Sequence, residues 1–213
     1  MKDHELIAEL KADLTPVRVP ARPLLAGSIW LTLSMVYVAL LSLALGPYRS
    51  GFIEQLFDAP RFSAEMLMGT AALICFASAA VTESIPGNDA RWLRRAGWVL
   101  GLGWLSQFFI GYGLPALEPS MLGKREHCAF EAYLYSVPPL LGMLWLQRRR
   151  YVLRPVRAML YGAIAAGMVP ALMMQLACMY EPSHILLFHV LPVGILATAA
   201  CTMAWLISLK RDR

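Results

Sequence analysis

Long apolar segments recur along the whole chain, and this pattern limits the fold more than any other feature. Each segment is about 20 residues long, the length that an α-helix needs to cross the roughly 30 Å hydrocarbon core of a bilayer. The chain is 58% hydrophobic and only 15% charged, whereas a soluble domain usually carries about 25% charged residues. A single large soluble core is therefore excluded, and the sequence predicts a polytopic membrane protein.

Six segments have this character, and they are continuous. A membrane β-barrel would instead show alternating segments of about 10 residues, so we predict an all-α integral membrane protein with six transmembrane helices. The predicted spans cover residues 24–45, 64–82, 96–115, 129–147, 156–178 and 184–209. The predicted organisation is an amino-terminal segment and tether over residues 1–23, a transmembrane domain over 24–209 and a basic tail over 210–213.

The basic residues predict the orientation of these spans. With six spans, both termini share one side of the membrane with the second-to-third and fourth-to-fifth connections. All of the 19 Lys and Arg residues lie on that side except Arg49, Arg61, Lys124 and Arg125. Cytoplasmic loops carry the excess of Lys and Arg, so both termini are predicted to be cytoplasmic. The net charge of +5 then reflects topology, and no direct nucleic-acid partner is expected.

Two of the four cysteines lie at the outer face that this topology predicts. Cys128 precedes the fourth span within "HCAFE", and Cys178 ends the fifth span at the start of "CMYEPSHILLFH". An oxidising compartment permits a disulfide there, although sequence alone does not give the distance between the two residues. Cys75 and Cys201 lie mid-span, where we predict that they pack as small apolar residues.

Side chains that bind metals surround both of the outer cysteines. Thiolate and imidazole groups suit zinc and other soft or borderline ions, so a metal ion is a candidate signal. The candidate ligands are His127, Cys128, Glu131, Cys178, Glu181, His184 and His189. His184 and His189 are five positions apart, a spacing at which two side chains on one α-helix point in rather different directions. Three interpretations stay open: an interfacial polar collar, a thiol pair that can form a disulfide, and a metal site.

The amino-terminal residues 3–14 predict a short amphipathic helix. Its apolar stripe is made of Leu6, Ile7, Leu10 and Leu14. A helix of about 12 residues is marginal in water by itself, so this stripe needs a surface to cover it. The polar face is rich in acids, which an anionic leaflet repels, so a groove on a cytosolic protein is favoured over intramolecular docking and over the membrane surface. Residues 15–23, "TPVRVPARP", predict a stiff extended tether.

The chain resembles the NrsF-type membrane anti-sigma factors, which are negative regulators of extracytoplasmic-function sigma factors in bacteria. The resemblance rests on "LIAELKADLTPVRVPARPLL", "HCAFEAYLYSVPPLLGMLWL" and "QLACMYEPSHILLFHVLPVGI". It implies a non-enzymatic protein of the bacterial inner membrane that sequesters such a sigma factor through its cytosolic part. By position, Cys128 and Cys178 match the pair that the family needs for release under heavy-metal or oxidative stress.

The same resemblance implies which residues bind the partner. The apolar stripe would dock in a groove of the sigma factor, and Arg18 and Arg22 would contact acidic residues nearby; membrane lipid is the other expected partner. Two other classes of protein stay open. A membrane thiol–disulfide oxidoreductase would use the cysteine pair catalytically, but it normally needs a CxxC-like pair and a quinone site. A transporter of small solutes or metals would need polar groups through the centre of the bundle.

Overall fold

The computed structural model describes Lys11 and residues 22–88, 90–150 and 152–211, and the regular secondary structure of these residues is helical. The helices are α1 (Pro23–Leu45), α2 (Phe52–Asp58), α3 (Pro60–Thr82), α4 (Arg91–Gly111), α5 (Cys128–Arg148), α6 (Pro155–Ala177), α7 (Pro182–His184), a π-helical segment (Ile185–Val190) and α8 (Leu191–Arg211). The prediction of an all-α chain is confirmed. The predicted amino-terminal helix lies outside the described residues, with Leu6, Ile7, Leu10, Leu14 and Arg18.

Four helical stretches are both long and apolar enough to cross a membrane, namely Pro23–Leu45, Pro60–Thr82, Pro155–Ala177 and Pro182–Lys210. These stretches indicate a multi-pass membrane protein. α4 and α5 are equally suited by length, with 21 residues each, but they are more polar. α4 begins five residues before the predicted third span and so takes Arg91, Arg94 and Arg95 into its first turns.

Proline marks the start of four helices. Pro23, Pro60, Pro155 and Pro182 occupy the first position of α1, α3, α6 and α7. The first turn of a helix leaves its N–H groups without intrahelical partners, so the N–H that proline lacks is not missed there. α2 was not predicted, because its seven residues are too short for an apolar span.

α6 is the central helix of the bundle. It packs against α3, α5, α8 and α1, and most of its residues are buried, many of them Ala or Gly. A Cβ atom on Gly167 would lie 3.1 Å from the Val193 Cα atom, so the backbones of α6 and α8 approach closely, as small residues permit.

α1 is attached at the periphery by one narrow stripe. Its buried residues are Gly27, Trp30, Ser34, Val38 and Ser42, which recur every three or four positions and so share one face. Near the start of this stripe, Trp30 Nε1 donates a 2.8 Å hydrogen bond to the Pro139 carbonyl of α5. α1 therefore has fewer tertiary contacts to hold it than the central helix.

The bundle has two chemically different ends. The cysteine end is formed by the α1–α2, α4–α5 and α6–α7 connections, and the arginine end by the α3–α4 and α5–α6 connections. At the arginine end, Glu83 forms ion pairs with Arg94 and with Arg157, the latter at 2.8 Å. Arg150 Nη1 donates to the Val81 carbonyl at 3.3 Å. One carboxylate thus ties the ends of α3, α4 and α6 together.

Candidate functional site

Cys128 and Cys178 meet at the cysteine end of the bundle. Cys128 is the first residue of α5 and Cys178 directly follows the last residue of α6, and these two helices pack side by side. Both thiols are free, both side chains are buried, and their sulfur atoms are 2.8 Å apart. The two thiols are thus close enough to form a disulfide or to bind a shared ion after small movements.

Two histidines complete a cluster around these thiols. His184 Nε2 lies 3.3 Å from Cys178 Sγ, and the rings of His184 and His189 are perpendicular, with centroids 5.2 Å apart. One ligand atom from each of Cys128, Cys178, His184 and His189 lies within 4.8 Å of all the others. These four residues are called the Cys2His2 cluster below, and their side chains could hold a metal ion.

The π-helical segment explains how two histidines five positions apart converge. Residues 185–190 are wound as a π-helix, in which hydrogen bonds join residues five positions apart. Side chains at that spacing therefore point in more similar directions than they would on an α-helix. The expectation that His184 and His189 diverge assumed regular α-helical winding, which the chain does not have here.

His189 is completely buried, as is Cys178. The His189 side chain is 0% exposed, and neither ring nitrogen makes a well-formed hydrogen bond to the residues that the structure describes, although the Cys178 sulfur lies beside the ring. Buried polar atoms are nearly always hydrogen-bonded, since losing water without a replacement costs free energy. The ring nitrogens of His189 are therefore available to a ligand.

Of the other three candidate ligands, His127 is exposed, and Glu131 and Glu181 have other partners. His127 is the exposed residue before α5. Glu131 pairs with Arg125 at 3.1 Å and accepts a 3.3 Å hydrogen bond from the Tyr135 hydroxyl. Glu181 caps α7, because its carboxylate accepts from the backbone N–H groups of Ser183 and His184.

The Glu181 cap also sets the charge state beside the cluster. Burial acts to raise the pKa of Glu181, but the hydrogen bonds from Ser183 and from the His184 backbone N–H outweigh it and lower that pKa below its ordinary value. Glu181 thus stays ionised and fixes the first turn of α7. The Glu181 carboxylate thus positions His184 and is not free to act as a metal ligand beside it.

Arg49 lies next to Cys178 inside the bundle, and no pattern in the sequence points to this contact. Its side chain is buried, and its Nη1 atom donates to the Cys178 carbonyl at 3.4 Å. The guanidinium carbon lies 5.5 Å from the ring centroid of Phe62 and 6.0 Å from that of Tyr180. Burial lowers the pKa of Arg49. Through its hydrogen bond to the Cys178 carbonyl, the Arg49 side chain supports the backbone around this cysteine from inside the bundle.

A buried carboxylate holds the same stretch of chain. Glu65 is 0% exposed and accepts hydrogen bonds from the Tyr180 hydroxyl, at 3.0 and 3.1 Å, and from Gln175 Nε2 at 3.2 Å. Arg61 lies 4.0 Å away. Residues on both sides of Cys178 are thus fixed to α3, which limits how far that cysteine can move.

A cleft leads from outside the bundle to the cluster. It has a volume of about 540 Å³, and Cys128, His184, Arg125 and Glu181 contribute to its lining. Cys128 and His184 can therefore meet small solutes, although most of the surface of each side chain is covered. This cleft supplies the entry path that a metal site needs.

Arg125 connects the cluster with α1. The Cys128 thiol donates to the Arg125 carbonyl at 3.4 Å. From its other end, Arg125 Nη2 donates to the carbonyls of Ser42, Gly46 and Pro47 at 3.0, 2.8 and 3.0 Å. The last carbonyls of a helix lack intrahelical partners, and a cation there stabilises them. Arg125 thus contacts both the Cys128 thiol and the end of α1.

A family model described as NrsF, negative regulator of sigma F, matches residues 10–208 of the chain. The matched region begins in the amino-terminal segment and includes all four residues of the Cys2His2 cluster. Comparisons with curated proteins and with solved structures gave no match.

Proposed function

The chain belongs to the NrsF family of negative regulators of a sigma factor, and we propose that it sequesters an extracytoplasmic-function sigma factor at the bacterial inner membrane and releases it when Cys128 and Cys178 react. The match to this family model confirms the resemblance that the sequence motifs indicated. The family is one of regulators and not of enzymes, so the prediction that the chain is not an enzyme is confirmed. The oxidoreductase alternative is not retained.

We place all six long helices across the membrane, with both termini in the cytoplasm. Besides the four apolar stretches, α4 exposes Val99, Leu102 and Phe109, and α5 exposes Leu141 and Trp145, which suits contact with lipid acyl chains. The arginine end would face the cytoplasm, in agreement with the positive-inside rule. The cysteine end would then face the oxidising side of the membrane, where thiol chemistry is permitted.

The amino-terminal segment would hold the sigma factor. Leu6, Ile7, Leu10 and Leu14 would enter a groove on it, and Arg18 and Arg22 would contact acidic residues nearby. The family match starts at residue 10, inside this segment, and Arg22 is exposed directly before α1. The segment therefore emerges from the bundle at the arginine end, where a cytoplasmic partner could reach it.

The 2.8 Å separation of the Cys128 and Cys178 sulfur atoms is the observation that carries the proposed switch. With a two-electron oxidant, the thiols lose two protons and two electrons and the sulfurs form one bond. With a metal ion, both thiols lose their protons and bind as thiolates. Either reaction changes how the start of α5 lies against the end of α6. Arg125 would pass this displacement to α1, which continues into the amino-terminal segment.

The free energies are adequate for such a switch. Changing the sigma factor from 99% bound to 99% free requires about 5.5 kcal/mol of differential binding. Zinc sites built from Cys and His bind with an apparent free energy of about 10–16 kcal/mol at pH 7. Only the difference in affinity between the holding and the releasing state shifts the equilibrium, and metal coordination or disulfide formation is large enough to supply it.

Co-purification of the intact protein with the sigma factors of its host tests this function. We expect one extracytoplasmic-function sigma factor to be retained and then released by diamide or by Cd²⁺. The double variant C128S/C178S should retain it under both treatments, whereas the matched control C75S/C201S should release it like the wild type. Retention of no sigma factor would contradict the anti-sigma assignment. Release that persists in C128S/C178S would contradict the switch.

A further inference from the structure

We propose that Cys128, Cys178, His184 and His189 together form one tetrahedral site for a divalent ion of the zinc class, and that this ion is what the cysteine end of the bundle detects. The regulatory role rests on the proposed function, whereas the binding of the ion does not. The starting observation is that one ligand atom of each residue lies within 4.8 Å of all the others. Two thiolates and two imidazoles are a donor set of four-coordinate zinc sites.

His189 gives the strongest reason to prefer a metal site over a simple thiol pair. A disulfide would use neither histidine, and it would remove the Cys178 S–H beside the ring, so both ring nitrogens of this 0% exposed residue would stay without a well-formed hydrogen bond in the described part of the chain. An ion bound beside the thiols satisfies one of these nitrogens directly. The unpaired imidazole is thus explained by coordination and not by thiol oxidation.

The charge balance of the site also fits a divalent ion. Binding follows M²⁺ + 2 RSH → M(SR)₂ + 2 H⁺, so the two thiolates neutralise the ion while the histidines bind uncharged. A neutral complex avoids most of the cost of burying a net charge. The nearby carboxylates of Glu131 and Glu181 are held by Arg125 and by the α7 backbone. The ligands left are soft or borderline donors, which favour zinc and cadmium over magnesium or calcium.

Coordination requires a specific movement of the two cysteines. With metal–sulfur bonds of about 2.3 Å and metal–nitrogen bonds of about 2.0 Å, tetrahedral geometry places two sulfurs about 3.8 Å apart and a sulfur and a nitrogen about 3.5 Å apart. The distance from Cys178 Sγ to His184 Nε2 is already 3.3 Å, but the two sulfurs are only 2.8 Å apart. The sulfurs must therefore separate by about 1 Å, which moves the start of α5 away from the end of α6.

Metal binding and oxidation then become mutually exclusive states of the same pair. A disulfide draws the sulfurs together, to about 2.05 Å, whereas the ion holds them apart and occupies their lone pairs. An ion bound in the cluster should protect both thiols from oxidants and from thiol reagents. This protection distinguishes the site from a surface thiol pair that binds metal only loosely.

Cobalt binding to the reduced full-length protein in detergent tests the site. Co²⁺ serves as the probe, because sulfur-to-cobalt charge-transfer absorption reports thiolate ligands and the visible bands report tetrahedral geometry. We expect one Co²⁺ per chain with two thiolates, displaced by Zn²⁺ and protecting two thiols from diamide. H184A and H189A should each lose at least about 10-fold in affinity for Co²⁺. Mutation of a residue that only hydrogen-bonds to a metal ligand already has an effect of about this size.

Matched variants separate coordination from general disturbance. H189Q keeps a polar side chain of similar length and should lose affinity like H189A, while H127A and C75S/C201S should bind Co²⁺ like the wild type. A spectrum without thiolate charge transfer, or H189A and H189Q binding as tightly as the wild type, would overturn the site. Because no sigma factor is present in this experiment, a normal cobalt spectrum together with failed co-purification would overturn the proposed function alone.

Discussion

The Arg125 side chain donates a 2.8 Å hydrogen bond to the Gly46 carbonyl and so joins the loop before α5 to the end of α1. The same residue accepts the hydrogen bond of the Cys128 thiol on its backbone carbonyl. In the proposed function, this residue passes a change at the thiols to α1, the helix that follows the amino-terminal segment in the chain.

We expect R125A to separate sensing from release. The change removes the hydrogen bonds to the carbonyls that end α1 and the ion pair with Glu131. Because these groups are only partly buried, we expect a loss of stability near the lower end of the range of about 1–3 kcal/mol for an unpaired buried group. Co²⁺ binding should stay within about 3-fold of the wild type, while Cd²⁺ no longer releases the sigma factor. The two readouts are the cobalt spectrum and co-purification.

K124A is the matched control for R125A, since Lys124 is an exposed neighbour in the same loop. It should both bind Co²⁺ and release the sigma factor normally. Normal release by R125A would show that the signal reaches the amino-terminal segment by another route.

Substitution of Glu65 should loosen the stretch of chain around Cys178. E65A leaves the Tyr180 hydroxyl and the Gln175 amide without their acceptor and opens a cavity, which together cost about 2–5 kcal/mol. E65Q keeps an acceptor for Tyr180 and should cost less than half as much. The measurements are thermal unfolding in detergent and the rate at which Cys178 reacts with a thiol reagent. Equal unfolding temperatures for E65A and the wild type would contradict the role of Glu65.

Two glycines provide a matched test of the packing behind Cys178. Gly87 and Gly123 have φ angles of +78° and +77°, so alanine at either position carries the left-handed penalty of about 1–2 kcal/mol. A Cβ at Gly87 meets nothing within 4 Å, whereas a Cβ at Gly123 would lie 3.0 Å from Arg49 Cβ and 3.3 Å from the Ala177 carbonyl oxygen.

G123A should therefore destabilise the protein more than G87A, and it alone should change the reactivity of Cys178. Thermal unfolding and thiol labelling of the two variants check this difference. The same loss of stability in both variants would mean that the contact with Arg49 is not tight.

Mild oxidation should join Cys128 to Cys178 within one chain. The 2.8 Å separation of their sulfurs makes this bond far more accessible than one to Cys75 or Cys201, which lie in other helices. Diamide treatment followed by peptide mass spectrometry should find the 128–178 bond in the wild type and in C75S/C201S. Preloading with Zn²⁺ should slow the reaction, because the sulfur lone pairs that attack the oxidant are then bound to the metal. Bonds formed only between chains would contradict the proximity of the pair.

The apolar stripe of the amino-terminal segment can be tested by single charges. Removing one buried leucine costs about 1.5–3 kcal/mol of binding, so L6D and L10D should each weaken sigma binding by roughly 10-fold to 100-fold or more. K11A is the control, because Lys11 is exposed. The affinity of the purified sigma factor for each variant measures the effect. Unchanged affinity for both aspartate variants would exclude the stripe as the docking face.

The amino-acid sequence by itself determines the parts of this protein that depend on local patterns. The long helices could be predicted from the length of the apolar segments, because a continuous apolar run of about 20 residues is what a membrane-spanning helix needs. Because successive spans cross the membrane in opposite directions, Cys128 and Cys178 were predicted at one end of the bundle, and the structure brings them together there. α2 and the early start of α4 were missed, since neither leaves a long apolar signal.

The tertiary structure decided the chemistry around the two thiols. His184 and His189 converge only because the chain is wound as a π-helix between them, and helical winding of that kind has no signature in an apolar run. Arg49 supports Cys178 from 129 positions away, and Glu65 holds Tyr180 from 115 positions away. Contacts at such separations depend on how whole helices pack, so sequence alone predicted candidate ligands, whereas packing selected the four whose ligand atoms meet.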